Sequence, residues 1–173
     1  LSLSDNIVYD ICEDANRGAL WIGTRSGLSI LKYDHPERFI NYKSTKSFYR
    51  IPSDEINSII RDHENNMWIG SIGGGVFITN TEKTPFHTFS INIPQIPTAT
   101  VRSLFVDRAD NIWIGIGQYG LLYYDRRTHS FLHQSQIPEF KAMGYATISD
   151  ILQRQNDEIL FASYGNGLYS YRK

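Results

Sequence analysis

The sequence predicts an all-β chain, a β-propeller of about four four-stranded antiparallel blades. Three observations carry that prediction. The tripeptide Trp-Ile-Gly recurs at Trp21, Trp68 and Trp113, at intervals of 47 and 45 residues. A degenerate fourth copy, Leu160-Phe161-Ala162, follows after another 47, and a period in the forties marks one supersecondary unit used several times. Each copy also divides into short β-branched and aromatic runs separated by turn-forming residues. No stretch of ten or more residues shows the 3.6-residue apolar period that helical repeats of similar length require.

Aligned on the tryptophan, every copy reads alike. It opens with an apolar strand: Val8–Asp14, Ile56–Asp62, Val101–Asp107 and Ile148–Arg154. Apolar residues on both of its faces fit a strand enclosed by neighbours. A polar turn follows at Ala15–Gly18, His63–Asn66, Arg108–Asn111 and Gln155–Asp157, where Asn, Asp and Gly supply local hydrogen bonds and positive φ. The Trp-Ile-Gly strand, a glycine-rich turn and a third strand come next, the last at Leu28–Leu31, Val76–Ile78, Leu121–Tyr124 and Leu168–Tyr171. A weaker fourth strand is expected at Phe39–Tyr42, Phe86–Phe89 and Phe131–His133. Pro36, Pro52, Pro85, Pro94, Pro97 and Pro138 all fall between these strands, where a missing donor does no harm.

The blades occupy about residues 4–52, 53–97, 98–146 and 147–173. The fourth stops where its outer strand would begin, and the chain opens at Leu1 rather than Met. The expectation is a fragment of a larger propeller, whose uncovered apolar blade face and free edges favour self-association as a dimer. At 173 residues the chain would ordinarily be one domain. Seventeen basic and 18 acidic residues leave a net charge of −1, which gives no electrostatic case for nucleic acid or an anionic membrane. The single cysteine, Cys12, forms no internal disulfide and is expected as a small core side chain on a buried strand.

Several strings suggest chemistry and lose it in context. Gly115-Ile116-Gly117-Gln118-Tyr119-Gly120 matches the dinucleotide fingerprint, but a strand follows where the fingerprint needs a helix. The same slot is a turn in every copy, so the string reads as a hairpin. His129 and His133, four apart in a strand-and-turn context, stand too far apart to share an ion, and no metal site or cofactor is expected from His35, His63, His87, His129 or His133. No Gly-x-Ser-x-Gly elbow is present. Asp14, Asp62 and Asp107 recur at a blade corner and read as turn-stabilising acceptors, with no catalytic residue among them. Trp21, Trp68 and Trp113 are expected to fill the gaps between blades with the indole N–H on a backbone carbonyl, and Gly23, Gly70 and Gly115 belong to the same structural frame.

An apolar strand ending in Asp, a short Asn/Gly turn, Trp-Ile-Gly, a glycine turn, then Gly-Leu and an aromatic-Asp resembles the two-component regulator propeller repeat. The matching segments are Asp14–Asp34, Asp62–Asn80 and Asp107–Asp125, with Gln153–Tyr171 a looser match. The fourth copy lacks Trp-Ile-Gly and the second lacks the closing aromatic-Asp. The resemblance implies part of a seven-bladed propeller in the periplasmic sensor region of a hybrid histidine kinase of Bacteroides type. The parent would be anchored in the inner membrane, and many such sensors detect oligosaccharides.

Function is therefore expected on the positions that vary inside the repeating frame. Loops joining second to third strand bring Arg25, Ile72-Gly73-Gly74, Gln118, Tyr119, Tyr164 and Asn166 to one face. The segments between blades add Arg50, Asp54, Gln95, Thr98, Thr100, Met143, Gly144 and Tyr145. Tyr9, Asn57, Arg102 and Ser149 occupy one variable slot at the start of the first strands. Aromatic rings beside guanidinium and amide groups suit a sugar. The favoured class is a non-catalytic sensor module. The alternatives are a metal-assisted propeller lyase or hydrolase, for which His63 and Glu64 sit on the wrong face, and a protein-interaction scaffold.

Overall fold

A computed structural model describes residues 2–45, 51–79, 87–89 and 100–172. Among these residues four antiparallel sheets form, each ordered as the chain runs. The first holds β1 (Val8–Asp14), β2 (Ala19–Thr24), β3 (Gly27–Lys32) and β4 (Phe39–Tyr42). The second holds β5 (Ile56–Arg61), β6 (Met67–Ser71), β7 (Gly75–Thr79) and β8 (His87–Phe89). The third holds β9 (Val101–Val106), β10 (Ile112–Ile116), β11 (Gly120–Asp125) and β12 (Ser130–His133). The fourth has three strands among the described residues: β13 (Thr147–Gln153), β14 (Ile159–Tyr164) and β15 (Gly167–Tyr171). Phe86, Pro85, Pro94 and Pro97 lie outside the described residues. The chain groups into two compact units, Leu1–Thr100 and Val101–Lys173, each containing two sheets.

The hairpin between first and second strands explains the recurring Asp and Trp. In the second sheet the Asn66 amide donates to Asp62 Oδ1 at 2.8 Å, and Trp68 Nε1–H donates to Asp62 Oδ2 at 2.9 Å. The third sheet repeats this with Asn111, Asp107 and Trp113, the indole bond being 3.0 Å. Three loop residues suffice because Asn65 and Asp110 take φ near 65° and 64°, a left-handed conformation that short Asn and Asp side chains tolerate. The indole partner is thus a buried carboxylate, not the expected backbone carbonyl. A charge-assisted bond of this kind is stronger than the neutral one.

The end copies depart from that pattern. In the first hairpin one more residue separates Asp14 from Trp21. Asp14 instead accepts from Arg17 Nη1 at 2.8 Å and stands 3.8 Å from Arg61 Nη1, while the buried Trp21 Nε1 makes no hydrogen bond among the described residues. In the fourth, Arg154 and Glu158 replace the Asp and Asn and join by an ion pair of 2.9 Å.

Each first strand also carries a bulge. Val8 pairs with Thr24 and Asp10 with Gly23, leaving Tyr9 as the extra residue. Asn57, Arg102 and Ser149 are the extra residues of β5, β9 and β13. The bulge faces the glycine of Trp-Ile-Gly, where the next sheet comes close. A Cβ on Gly23 would stand 2.8 Å from the Ile56 carbonyl oxygen, and one on Gly115 2.5 Å from that of Ile148. Side chains tie the same seams. The Ile59 amide donates to Asp10 Oδ2 at 2.7 Å, and Ser103 Oγ–H donates to the Ile148 carbonyl at 3.2 Å.

Trp21, Leu28, Ile30, Ile56, Ile59, Met67 and Phe77 form the core of the first unit. In the second, Trp113, Tyr123, Ile148, Ile151 and Phe161 are joined by Phe140 and Met143. Those two come from a 3₁₀ turn, Pro138–Met143, that sequence patterning does not reveal. The Phe140 ring packs 4.8 Å from Tyr171 and 5.6 Å from Phe161. Met143, expected on an exposed loop, is buried. Two further expectations fail at β1, where Val8, Tyr9 and Ile11 are exposed and Cys12 is only half-buried. The strand is covered on one face, so alternate residues meet solvent. Burial, with the Asp10 charge next, still pushes the Cys12 thiol up to about 11.

Gly115→Ala is expected to destabilise the protein by about 1–3 kcal/mol through overpacking against Ile148, whereas Gly165→Ala, with open space around it, costs only its backbone strain, about 1 kcal/mol; urea titrations distinguish them. Burial, followed by the charges of Asp107 and Asp125, pushes the Tyr123 phenol up to about 12 from 10.0. The folded state therefore holds this proton more tightly than the unfolded chain. Its contribution is complete below pH 10 and is lost as pH rises toward 12. Alkaline denaturation midpoints should show a shallower fall between those values for Tyr123→Phe than for the wild type.

Candidate functional site

The bulged ends of the first strands and the turns between second and third strands share one end of each sheet. On the first unit this end carries Arg25 and Asn57. The Arg25 amide donates to the Ile7 carbonyl at 3.0 Å, which pins the turn to the chain entering β1. Its guanidinium, largely exposed, reaches Asp5 Oδ2 at 3.4 Å, and Ser26 Oγ–H donates to the same oxygen at 2.6 Å. The Ser26 hydroxyl and then the Ile7 amide hold the Asp5 carboxyl below its usual range. At the bulge, Tyr9 O–H donates to Glu55 Oε1 at 2.9 Å, and that bond raises the phenol. Asn57 occupies the corresponding bulge of β5, half-buried. Asp5 and Glu55 escaped the sequence reading because they lie just outside the repeated segments.

The second unit carries Arg102, Gln118, Tyr119, Tyr145, Tyr164 and Asn166. Gln118 takes φ 63° and its amide donates to Thr147 Oγ1 at 2.9 Å, joining the turn of one sheet to the first strand of the next. Thr147 pairs across the ladder with Tyr164. Gln118, Tyr164 and Tyr145, two residues before Thr147, are thereby brought to one place. Arg102 projects from the β9 bulge and is exposed. Tyr145 and Tyr164 are 73% and 83% exposed, the profile of rings offered to a partner rather than to a core. Asn166 is exposed in the turn that follows Tyr164. Arg50, Gln95 and Thr98 lie outside the described residues.

A buried polar latch sets the Tyr119 turn from behind. The Tyr119 carbonyl accepts from His133 Nε2 at 3.0 Å, which fixes the tautomer. Nδ1 is then free to accept from the Ser135 amide at 3.3 Å. Gln134 Oε1 accepts the Leu121 amide at 3.0 Å, and its Nε2 donates to the Gly144 carbonyl. Gly120 is required there, with φ 80° and a missing Cβ whose place the Gln134 carboxamide takes. Nothing in the repeat pattern signals this latch, because His133 ends the weak fourth strand and Gln134 begins the variable connection.

No group of three or more His, Cys, Asp or Glu among the described residues is arranged to hold a metal ion. His129 Nδ1 lies 3.1 Å from the Tyr124 hydroxyl. His63 and Glu64 sit in the β5–β6 hairpin, at the opposite end of the sheet from the bulge.

The description of the two component regulator propeller family matches residues 2–26 and 50–73. These two segments resemble that family's repeat. A comparison with curated protein sequences gave no match. Among solved structures, the chain resembles the extracellular domain of BT4673 from B. thetaiotaomicron, named in one structure a one-component and in another a hybrid two-component system. The TM-scores are 0.81 and 0.79, with 22% identity over 98% of this chain and 21% of those. The extracellular domain of the hybrid two-component system BT3049 from the same organism gives 0.71 at 19% identity, over 94% of this chain and 20% of that one. Streptogramin B lyase gives 0.67 at 13%, covering 99% of this chain and 56% of the lyase. At these identities the likeness shows the fold alone, a β-propeller. The chain spans about a fifth of the length of the Bacteroides structures. No helix among the described residues is long and apolar enough to cross a membrane.

Gln134→Ala is expected to release the Leu121 amide and loosen the Tyr119 turn while leaving the sheets folded. Hydrogen exchange at Leu121 should accelerate about tenfold or more, since the bond is worth about 1–1.5 kcal/mol.

Proposed function

We propose that this chain is a non-catalytic, extracytoplasmic ligand-sensing segment of a hybrid two-component sensor. In this reading the bulged end recognises an oligosaccharide and the parent protein relays binding to a histidine kinase. The observation that carries it is the bulge. One slot, structurally fixed in all four sheets, holds Tyr9, Asn57, Arg102 and Ser149 while the frame around it repeats. Bulges re-aim side chains next to functional sites, and a different side chain on the same backbone feature of each sheet suits recognition rather than folding.

The neighbouring groups fit a saccharide. Tyr119, Tyr145 and Tyr164 supply rings for C–H faces, Arg102 a bidentate donor, and Gln118 and Asn166 planar amides for hydroxyls. Family repeats and the likeness to two Bacteroides extracellular domains support the sensor class and a periplasmic location, with the parent in the inner membrane. Signalling would follow from a population shift, the ligand binding one of two arrangements of a dimeric sensor more tightly. The likeness to streptogramin B lyase keeps a metal-assisted lyase as the second reading; a protein-interaction surface is the third.

Calorimetry against a panel of oligosaccharides, with and without divalent metal and with chromatography of each mixture, tests this. One sugar class should bind saturably and emerge intact. Arg102→Ala and Tyr119→Ala should each weaken binding about tenfold, or about 1.4 kcal/mol. Metal-dependent breakdown of the sugar would replace the sensor with the lyase.

A further inference from the structure

The two units treat the space between their sheets differently at the hairpin end, away from the bulges. In the first unit the last residue of β5 is Arg61. Its guanidinium lies between the sheets with Nη1 buried, 3.8 Å from Asp14 Oδ1. Asp14 thus faces two guanidinium groups, those of Arg17 and Arg61. In the second unit the position of Arg61, the last residue of β13, is Gln153. Its shorter carboxamide stands in the cavity wall, Oε1 accepting the Arg108 amide at 2.9 Å. Where the guanidinium would lie there is instead a cavity of about 510 Å³.

The cavity retains what a cation needs. Asp107, in the place of Asp14, forms part of its wall, and every donor the carboxylate receives is neutral: the amides of Ala109 and Asn111, the Asn111 Nδ2 and the Trp113 indole. Among the described residues its charge meets no guanidinium. Three aspartates, Asp107, Asp125 and Asp157, line the space against one arginine, Arg108, which is held by Asp157 at 2.6 Å. The hydroxyls of Tyr123 and Tyr171 make no hydrogen bond among the described residues, and both rings are part of the wall. Leu132, Ile137 and Ile159 complete an apolar side. A carboxylate at one end, aromatic rings around it and an aliphatic wall suit an alkyl chain ending in a cation. The volume is that of a small-molecule site.

We infer that the cavity of the second unit binds a small organic cation, an alkylguanidinium or alkylammonium whose head takes the place that Arg61 fills in the first unit. The Tyr123 and Tyr171 hydroxyls accept from the head, and Leu132, Ile137 and Ile159 hold the stem. This site is separate from the bulged end and does not depend on what binds there.

Agmatine titrated calorimetrically into the full chain is the test, with glucose as the uncharged control. Wild type should bind agmatine saturably at a stoichiometry near one and should not bind glucose. Gln153→Arg supplies the cation from the chain itself. It should weaken agmatine about tenfold or more while leaving the thermal midpoint equal or higher. Tyr171→Phe, which keeps the packing, should weaken it severalfold. Absence of saturable binding to folded wild type in the millimolar range overturns the inference. So does binding that both variants leave unchanged, because the cation would then lie elsewhere. Should Gln153→Arg fail to fold, Tyr171→Phe alone decides.

Discussion

Everything in these two units hangs on one close approach, the backbone of a first strand lying against the glycine of the preceding Trp-Ile-Gly. At Gly23 and Gly115 the next strand's carbonyl occupies the volume a Cβ would need. That contact sets how near two sheets stand. It therefore sets how much of the tryptophan row one sheet can bury against the next. The bulge opposite the glycine is part of the same arrangement, since the added residue bends the strand edge and increases its twist. Ala162, at the glycine position of the fourth copy, is the one place where the repeat adds a side chain at this point. Leu160, in the tryptophan slot of that copy, is likewise smaller than the indole it replaces.

The hairpin carboxylate is a second constraint, and its variations are informative. Asp62 and Asp107 each satisfy a turn amide, an asparagine side chain and an indole from one buried group. Gathering several donors on one carboxylate satisfies its oxygens with hydrogen bonds. Asp14 cannot do so, because the extra hairpin residue moves the indole away, and it takes arginines instead. Among the described residues the Trp21 N–H is left buried without an acceptor, a cost of about 1–3 kcal/mol. Local loop length thus decides whether a charge is balanced by dipoles or by a counter-ion.

Much of this was legible in the sequence, for an identifiable reason. Strand positions, hairpins and the variable slot follow from aligning Trp21, Trp68 and Trp113, because a repeat lets each copy serve as a control for the others. The alignment located Tyr9, Asn57, Arg102 and Ser149 without disclosing that they are bulges, since a bulge adds one residue to a ladder and leaves no mark on composition. What stayed hidden is non-repeating. The Pro138–Met143 turn buries Phe140 and Met143, and the latch of His133 and Gln134 sets Tyr119, yet both lie in a connection unlike any other. Asp5 and Glu55 were missed likewise, being bound across 20 or more residues to partners that only folding supplies. The indole acceptor was misassigned because an aspartate two residues beyond the paired strand position looks like a turn residue, which it also is.

The same logic of copies compared within one chain separates the two ends of the sheets. At the bulged end a fixed backbone feature carries side chains of four different chemistries, so the variation is in what is displayed. At the hairpin end the backbone and the acidic residue persist from Asp14 to Asp107, and the variation is in what fills the space, a guanidinium beside one and open volume beside the other. Among the described residues this buried carboxylate is served by neutral donors and the two phenols beside the opening make no hydrogen bond, so a positive charge there would meet an opposite charge and two acceptors. Its energetic logic is that of Arg61 with the covalent tether removed. A tethered cation arrives with its ordering entropy largely settled by the strand that carries it, whereas a free one must offset the loss of its own motion. The aromatic and aliphatic walls matter for that reason, because charge alone at a site open to water would contribute too little to hold a small ligand.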